Sequence, residues 1–333
     1  MPMKVLITRE IPQVGINLLK EHKEIEIDYR KGPPLSREEL KRAVKDVDAI
    51  IPVIPDQISK EIIEHADNLK VIAAYSVGYD HIDLDAATRK NIYVGNTPGD
   101  LTEAVAEHSF ALMMSLGRRV AEADRFCRAK RYEYWDPMAF IGPKFMNKTL
   151  GIIGFGRIGQ FFARMAKNGL NMRILYTDVI SHPEGENLLD AEKVSLDYLL
   201  TNSDVVSIHV NLTEETKHMI DHDQLKLMKP LSILINTSRG PIIDENALVT
   251  ALKEGIIAGA ALDVFENEPH IHPDLLKLKN VVLTPHIASA TWEARIQMAR
   301  MAVENVIDVL VDKKPPRYIV NKELIKDIVS SIV

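Results

Sequence analysis

The chain has 333 residues, of which 46% are hydrophobic and 26% charged, and its formal net charge at pH 7 is −6. This composition is typical of a folded globular protein long enough for two domains. No basic cluster stands out, which argues against nucleic acid or an anionic membrane as a partner. The single cysteine, Cys127, excludes an intrachain disulfide and a multi-cysteine metal site, and favours a reducing, cytoplasmic location. The first residues predict a strand rather than a signal peptide, and no apolar stretch of about 18 residues could cross a bilayer.

Short apolar strands alternate with helical segments through the first hundred residues. This alternation predicts a parallel α/β sheet. The expected strands are Lys4–Thr8, Ile25–Tyr29, Ala49–Val53 and Val71–Tyr75, and the expected helices are Gly15–Glu21, Arg37–Val44 and Lys60–His65.

The segment Leu101–Arg119 has apolar residues on every face of a helix. We therefore expect a helix that is buried on all sides. Two interpretations stay open from sequence: the core of a subunit interface, or an ordinary central helix within one subunit.

A second α/β series begins at Thr149. Its expected strands are Leu150–Ile153, Met172–Thr177, Val205–Val210, Ser232–Asn236, Ile257–Leu262 and Val281–Thr284. The series predicts a doubly wound nucleotide-binding domain. The amphipathic segment Thr291–Asp312 follows the last strand without another βα unit, so we expect this helix to cross back to the first domain. The predicted domains are then residues 1–98 with 289–333, and an inserted nucleotide-binding domain at residues 99–288.

The run from Thr149 to Gly159 is an apolar strand entering a G-x-G-x-x-G turn. In such a turn Gly154 permits the tight bend, Gly156 lets the backbone approach a pyrophosphate, and Gly159 lets the following helix pack on the strand. The context of strand, glycines, helix and second strand predicts a dinucleotide site.

Asp178 ends the second strand of this unit, 19 residues after Gly159. A carboxylate at this place accepts hydrogen bonds from the adenosine ribose hydroxyls and repels a 2′-phosphate. The sequence therefore favours NAD over NADP.

Three polar residues follow late strands of the second series: Arg239, Glu268 and His286. Ligands of open parallel sheets bind outside the carboxyl ends of the strands, so these side chains are expected at one rim. Each has a plainer interpretation, since Arg239 could be a solvated turn cation, Glu268 lies in an acidic loop, and the chain has ten other histidines. A metal site at His270 and His272 is disfavoured because no acidic or cysteine partner is placed with them.

The three groups suit hydride transfer to a 2-oxo acid. Arg239 can bind the substrate carboxylate through two parallel N–H bonds. Protonated His286 can donate a proton to the carbonyl oxygen as hydride arrives, and Glu268 can stabilise the imidazolium and fix its ring.

Four segments in one order resemble the D-isomer-specific 2-hydroxyacid dehydrogenases. They are residues 154–159 (Gly-Phe-Gly-Arg-Ile-Gly), 236–244 (Asn-Thr-Ser-Arg-Gly-Pro-Ile-Ile-Asp), 262–269 (Leu-Asp-Val-Phe-Glu-Asn-Glu-Pro) and 284–289 (Thr-Pro-His-Ile-Ala-Ser). Within the family the chain is most similar to the glyoxylate/hydroxypyruvate reductases. The resemblance implies a Rossmann domain inserted into a flavodoxin-like substrate domain, NAD as cofactor and a homodimer.

The resemblance also implies roles for individual residues. Arg239 would bind substrate, Glu268 would pair with the acid, and His286 would be the proton donor. Cofactor contacts would come from Gly154, Gly156, Arg157, Ile158, Gly159, Asp178, Thr237, Ser238, Asp263, Thr102 and Ala288. Substrate contacts would come from Tyr75, from backbone N–H groups of Val77 and Gly78 in the other domain, and from Trp135, which either reaches across a dimer or packs in its own loop.

These features predict an NADH-dependent oxidoreductase that reduces a small 2-oxo acid to the D-2-hydroxy acid. The alternatives are a D-lactate or D-3-phosphoglycerate dehydrogenase of the same family, and an NADH-sensing regulatory binding protein. Departures from the family pattern at Asn211 and Ala288 leave every reacting group in place but weaken a choice between substrates.

Overall fold

The computed structural model describes residues 2–54, 56–99 and 101–324, which form two compact units. Unit 1 contains the residues up to Leu101 together with those from Ala290 onward, and unit 2 is Thr102–Ser289.

Unit 1 is built on a five-stranded parallel sheet with the order β2-β1-β3-β4-β5. Its strands are β1 (Met3–Ile7), β2 (Ile25–Tyr29), β3 (Ala49–Ile51), β4 (Val71–Ala73) and β5 (Tyr93–Gly95). Its helices are α1 (Gln13–Lys20), α2 (Arg37–Val44), α3 (Lys60–His65), α4 (Leu84–Arg89) and α12 (Trp292–Leu310). This strand order is that of flavodoxin-like folds, as the resemblance predicts.

The closing helix α12 packs against α1 and against strands β3 and β4. Eleven of its side chains are buried, including Asn305 and Asp308. Asp308 accepts hydrogen bonds from Nε and Nη2 of Arg317, both at 2.9 Å, which holds the segment after the helix on its surface. The five-stranded sheet is therefore covered by helices from both segments of unit 1.

Unit 2 is built on a seven-stranded parallel sheet with the order β12-β11-β10-β9-β6-β7-β8. Its strands are β6 (Thr149–Ile153), β7 (Arg173–Thr177), β8 (Ala191–Lys193), β9 (Val205–Ile208), β10 (Ile233–Asn236), β11 (Gly259–Leu262) and β12 (Val281–Leu283). Its helices are α5 (Leu101–Gly117), α6 (Val120–Arg128), α7 (Arg157–Leu170), α8 (Pro183–Leu189), α9 (Leu196–Asn202), α10 (His222–Leu227) and α11 (Glu245–Glu254), with α5 beginning at the unit boundary.

Both faces of the seven-stranded sheet are covered by helices. Successive side chains of a strand point to opposite faces, so neighbouring residues enter different cores. On β6, Ile152 packs into the core beside α5 and α7, whereas Ile153 packs into the core beside α9, α10 and α11. Continuous apolar strands of this kind are typical of doubly wound sheets. The predicted fold class is confirmed.

Helix α5 differs from its prediction. Within one chain the helix is not buried on all sides, since Glu103, Glu107 and Ala111 are exposed at i, i+4 spacing along one face. Its interpretation as the core of a subunit interface stays a prediction. Leu112 and Met113 lie in the core on the opposite face, and Phe110 is half-buried.

Across residues 2–54, 56–99 and 101–324, no helix is both long and apolar enough to cross a membrane.

Candidate active site

The turn between β6 and α7 uses each of its three glycines differently. Gly154 has a φ of +91°, and a β-carbon there would lie 2.7 Å from the carbonyl carbon of His209. A β-carbon on Gly159 would lie 2.4 Å from the carbonyl oxygen of Gly154. A β-carbon on Gly156, in contrast, would meet no described protein atom within 4 Å. Gly154 and Gly159 are thus required by close backbone contacts, whereas open space lies beside Gly156.

This open space adjoins the N-terminus of α7. Gly156 is the N-cap residue, and no described side chain accepts a hydrogen bond from the first turn of the helix. Arg157 is exposed and Ile158 half-buried in that turn. Unpaired N–H groups and the helix dipole attract anions at such an end. The geometry fits the pyrophosphate of a dinucleotide.

Asp178 lies just beyond β7 and is bonded to the glycine turn. Its Oδ2 accepts a hydrogen bond from the backbone N–H of Phe155 at 2.7 Å and lies 3.2 Å from Nε2 of His182. Burial raises the pKa of Asp178, but hydrogen bonds from the amides of Phe155 and Ile180 and from His182 outweigh it and lower the pKa below its usual value. The carboxylate is thus held ionised beside the glycine turn, and its contact with a ribose stays a prediction.

His286 and Glu268 form a direct pair beyond the ends of β12 and β11. Nδ1 of His286 lies 2.8 Å from Oε2 of Glu268, and Oε1 of Glu268 accepts a hydrogen bond from the N–H of Phe265 at 3.0 Å. The side chains are 29% and 22% exposed. Because Nδ1 is occupied by the carboxylate, Nε2 is the ring nitrogen that can exchange a proton with a ligand.

The turn that carries His286 is held by Asp263. His286 has a φ of +54°, a conformation that is uncommon for a residue with a side chain. Asp263 is fully buried, with Oδ1 accepting from the N–H of Ile287 and Oδ2 from the N–H of Ala288, both at 2.8 Å. The carboxylate of Asp263 and the amide of Ala288 are therefore used within unit 2, and their expected contacts with the cofactor stay predictions.

Two further side chains complete the surroundings of Asp263. Thr284 donates a hydrogen bond to its Oδ1 at 2.6 Å, and Nε2 of His108 lies 3.4 Å from the same oxygen and 3.1 Å from the Thr284 hydroxyl. Burial raises the pKa of Asp263, but these groups and the two amides outweigh it, so the pKa is lowered. His108 was not among the predicted site residues; the available signal was a histidine close to the apolar core residues of α5.

Arg239 lies in the turn after β10, which the buried Asn236 shapes. Nδ2 of Asn236 donates to the carbonyl of Arg239 at 2.8 Å, and its Oδ1 accepts from the N–H of Ser238 at 3.0 Å. The Ser238 hydroxyl donates to the carbonyl of Val210, which ties this turn to the segment after β9. The half-buried Arg239 donates from Nη1 to the Ser238 carbonyl at 2.8 Å. Sequence reasoning missed Asn236, whose only signal was a polar residue ending an apolar strand.

The remaining predicted residues of unit 2 lie in different surroundings. The hydroxyls of Thr237 and Ser109 are 2.9 Å apart, so α5 is bonded to the turn before Arg239. Thr102 lies in the first turn of α5. Trp135 lies between α6 and β6 and is 75% exposed. Both interpretations of Trp135 therefore stay predictions.

The predicted substrate residues of unit 1 follow β4. Tyr75 is buried, and its hydroxyl donates to the backbone carbonyl of Arg295 on α12 at 2.8 Å. Val77 is exposed, and its carbonyl accepts a hydrogen bond from Asn96 at 2.8 Å. The carbonyl of Gly78 accepts from the Ser76 hydroxyl at 2.6 Å. The Tyr75 hydroxyl is thus committed to packing, and the substrate roles of all three stay predictions.

Among residues 2–54, 56–99 and 101–324, no group of three or more His, Cys, Asp or Glu side chains is placed to hold a metal ion. His272 uses both ring nitrogens, since Nδ1 accepts from the N–H of Asp274 at 3.2 Å and Nε2 lies 3.3 Å from Oδ1 of Asn246.

The carboxyl ends of one parallel sheet thus carry the glycine turn, Asp178, Arg239, and the Glu268 and His286 pair. Comparison with known proteins decides which family uses this arrangement. Residues 110–288 match the family model described as "D-isomer specific 2-hydroxyacid dehydrogenase, NAD binding domain". The chain belongs to this family.

Relatives match along nearly the whole chain. The "Glyoxylate reductase" of Thermococcus litoralis is 50% identical over 330 residues, covering 98% of each chain. The "Glyoxylate reductase" of Korarchaeum cryptofilum is also 50% identical and covers 98% of each chain. A crystal structure of a protein from Thermus thermophilus superposes with a TM-score of 0.89 at 40% identity, covering 96% of this chain and all of that one.

The comparisons confirm four predictions: the family, the fold class, an oxidoreductase and a nicotinamide dinucleotide as its cofactor. The matched residues lie within unit 2. The roles of single residues are not tested by these comparisons and stay predictions.

Proposed function

We propose that this dehydrogenase uses NADH to reduce small 2-oxo acids, with glyoxylate and hydroxypyruvate as its main substrates and glycolate and D-glycerate as products. The His286 and Glu268 pair, at 2.8 Å on the carboxyl edge of the dinucleotide-binding sheet, carries the proposal. The name shared by relatives at 50% identity supports the choice of substrate.

In this proposal Arg239 binds the substrate carboxylate and so orients the neighbouring carbonyl group. Bound NADH supplies the hydride to the carbonyl carbon. Nε2 of His286 donates its proton to the carbonyl oxygen as negative charge develops there. Glu268, on Nδ1, holds the ring in place and stabilises its cationic form before the transfer. The products are the hydroxy acid, the oxidised cofactor and a neutral imidazole, which a proton from water restores.

We also propose that the enzyme prefers NADH to NADPH. Asp178 is ionised, and its position is fixed by the Phe155 amide beside the glycine turn. A 2′-phosphate placed against this carboxylate would be repelled, whereas free ribose hydroxyls can donate hydrogen bonds to it.

The test is the initial rate of cofactor oxidation by the purified protein with glyoxylate, hydroxypyruvate, pyruvate, 2-oxoisocaproate and phosphohydroxypyruvate, each with NADH and with NADPH. We expect the largest kcat/KM for glyoxylate or hydroxypyruvate with NADH. No oxidation with any of the five acids, in a sample shown to bind NADH, would contradict the proposal. A clear preference for pyruvate or phosphohydroxypyruvate would instead support one of the alternative dehydrogenase activities.

We propose that residues 99–288 form the NAD-binding domain and that residues 1–98 with 289–333 form the substrate-binding domain. The match of residues 110–288 to an NAD-binding model supports the first assignment. An isolated fragment of residues 99–288 is expected to fold and bind NADH without reducing any 2-oxo acid.

We further propose that the enzyme is a homodimer formed through unit 2. Five large apolar side chains within ten residues of one another are each more than half exposed: Tyr132, Tyr134, Trp135, Met138 and Ile141. Ile141 also lines a cavity of about 400 Å³ between the end of α5, the start of α6 and the amino ends of β10, β11 and β12. An exposed apolar patch beside a cavity is typical of a subunit interface.

Light scattering should therefore give twice the mass of the chain. The double variant Trp135→Ser with Met138→Ser should shift the protein toward monomer. A wild-type monomer at micromolar concentration would contradict the dimer.

A further inference from the structure

Glu245, the first residue of α11, is 5% exposed, yet no step of the proposed reaction uses it. Glutamates are almost never so buried unless they are paired. Oε1 of Glu245 accepts a hydrogen bond from the backbone N–H of Glu266 at 2.8 Å. In return, Oε2 of Glu266 accepts from the N–H of Glu245 at 3.3 Å. The two residues thus join the N-terminus of α11 to the loop after β11.

That loop also carries Glu268, the partner of His286. The backbone of the Arg239 turn packs on the same loop, because a β-carbon on Gly240 would lie 1.9 Å from the carbonyl carbon of Phe265. The loop that Glu245 holds is therefore in contact with both parts of the proposed site. A change in its position would reach Glu268 and the turn of Arg239 together.

The charged groups around Glu245 come from three segments. Glu266 and Glu268 lie on the loop after β11, and His272 lies further along that connection. His218, before α10, bonds through Nε2 to Oε1 of Glu266 at 2.8 Å. Burial raises the pKa of Glu245, and the charges of Glu266 and Glu268 raise it further, against the Glu266 amide and His272. Glu245 is thus bonded to the acidic loop that carries Glu268.

We propose that Glu245 is a positioning residue that fixes the Glu268 loop and adds negative charge behind the pair, which favours the protonated form of His286. The proposal rests on the proposed function, in which protonated His286 is the form that reacts. Its consequence is that reduction stays fast to a higher pH than the pair of Glu268 and His286 alone would permit.

The decisive variant is Glu245→Gln, whose amide oxygen can still accept the Glu266 N–H while the charge is removed. We expect the alkaline fall in kcat/KM for glyoxylate reduction to move to lower pH by about half a unit or more. The dissociation constant of NADH should stay at the wild-type value. Glu254→Gln is the matched control, because Glu254 is an exposed residue at the other end of the same helix. It should keep the wild-type pH profile.

If Glu245→Gln does not fold, the variant Glu266→Gln tests the proposal in its place. Glu266→Gln removes a neighbouring charge from a side chain that is less buried, and it should displace the alkaline limb in the same direction. A folded Glu245→Gln enzyme with the wild-type pH profile would overturn the proposal, since a merely structural role would not move that profile. Absence of turnover in the wild type would contradict the proposed function instead.

Discussion

At the scale of single residues, His286 is held in an uncommon backbone conformation by a carboxylate that does not react. Asp263 accepts two amide hydrogen bonds from the turn of His286 and one from Thr284. Strained conformations persist only where the surroundings fix them. The position of the proposed proton donor therefore depends on Asp263 as well as on Glu268.

The variant Asp263→Asn tests this dependence. An asparagine has one acceptor oxygen instead of two, so it cannot accept from the N–H groups of both Ile287 and Ala288, and the turn should relax. Because small displacements of a reacting group cost about 10²-fold in rate, we expect kcat to fall about 10- to 100-fold. Steady-state kinetics with glyoxylate measures this. Asp223→Asn, at an exposed aspartate of the same unit, is the control and should keep wild-type kcat. An unchanged kcat in Asp263→Asn would show that the turn is held without this carboxylate.

The sequence revealed the reacting side chains more readily than the residues that hold them. Arg239, Glu268 and His286 stood out because they follow predicted strands in one order. His108, Asn236 and Glu245 did not, because their partners are distant in sequence or are backbone groups. No pattern in the chain indicates that a buried glutamate accepts an amide hydrogen bond 21 residues away.

At the scale of elements, the turn from β6 to α7 separates two effects of glycine. Gly154 and Gly156 are two residues apart, but only Gly154 has a positive φ and has backbone atoms where a β-carbon would lie. Substitution of Gly154 should therefore lower the stability of the fold, whereas substitution of Gly156 should weaken cofactor binding.

For Gly154→Ala, strain and overlap with His209 should lower the free energy of unfolding by about 2 kcal/mol or more. Gly156→Ala should lower it by less than about 1 kcal/mol, the cost of a weaker N-cap. Its β-carbon would, however, occupy the space proposed for the pyrophosphate, so the dissociation constant of NADH should rise about tenfold or more.

Urea unfolding and NADH titration measure the two effects. Gly169→Ala, near the end of α7 where a β-carbon also meets no described atom, is the control. It should raise stability by about 0.5 to 1 kcal/mol and leave NADH binding unchanged. Wild-type NADH affinity in Gly156→Ala would contradict the placement of the pyrophosphate.

The strands that sequence reasoning missed are the short ones at sheet edges. β5 and β8 have three residues each and pair with one neighbouring strand. In β8 the sequence Ala-Glu-Lys carries no apolar alternation, so only its pairing with β7 makes it a strand. For helix α5 the many apolar residues led to a prediction of burial on every face, and the exposed stripe of Glu103, Glu107 and Ala111 was not predicted.

At the scale of the whole molecule, the chain returns to unit 1 after completing unit 2, and Tyr75 joins the two segments of unit 1. Its hydroxyl on the segment after β4 donates to the carbonyl of Arg295 on α12, 220 residues later. Burial raises the pKa of Tyr75 to about 12, against the opposing effects of the Arg295 charge and of a hydrogen bond with the Arg295 side chain. Because folded Tyr75 holds its proton more tightly than an unfolded tyrosine, the stability of unit 1 should fall at alkaline pH.

The sign of the linkage follows from the two states. In the unfolded chain a tyrosine loses its proton near pH 10, whereas folded Tyr75 keeps it to about 12. The stability that this group contributes is fully present below pH 10 and is lost as pH rises through about 12. Tyr75→Phe should therefore be about 1 kcal/mol less stable at pH 7, from the lost hydrogen bond. It should lose less stability than the wild type between pH 9 and 11.

Urea unfolding at pH 7, 9 and 11 tests this difference. Tyr79→Phe, at an exposed tyrosine of the same unit, should follow the wild type at all three values. Parallel curves for the wild type and Tyr75→Phe would contradict the linkage.

The central claim is that His286 delivers the proton in a hydride transfer, and the variant His286→Ala tests it most directly. Turnover of glyoxylate and the dissociation constant of NADH should be measured on the same sample. We predict that kcat falls about 10²- to 10⁴-fold while NADH affinity stays within about twofold of the wild type. His270→Ala, at an exposed histidine of the preceding loop, should behave as the wild type. Undiminished turnover in His286→Ala would contradict the account, as would a loss of NADH binding large enough to explain the loss of rate.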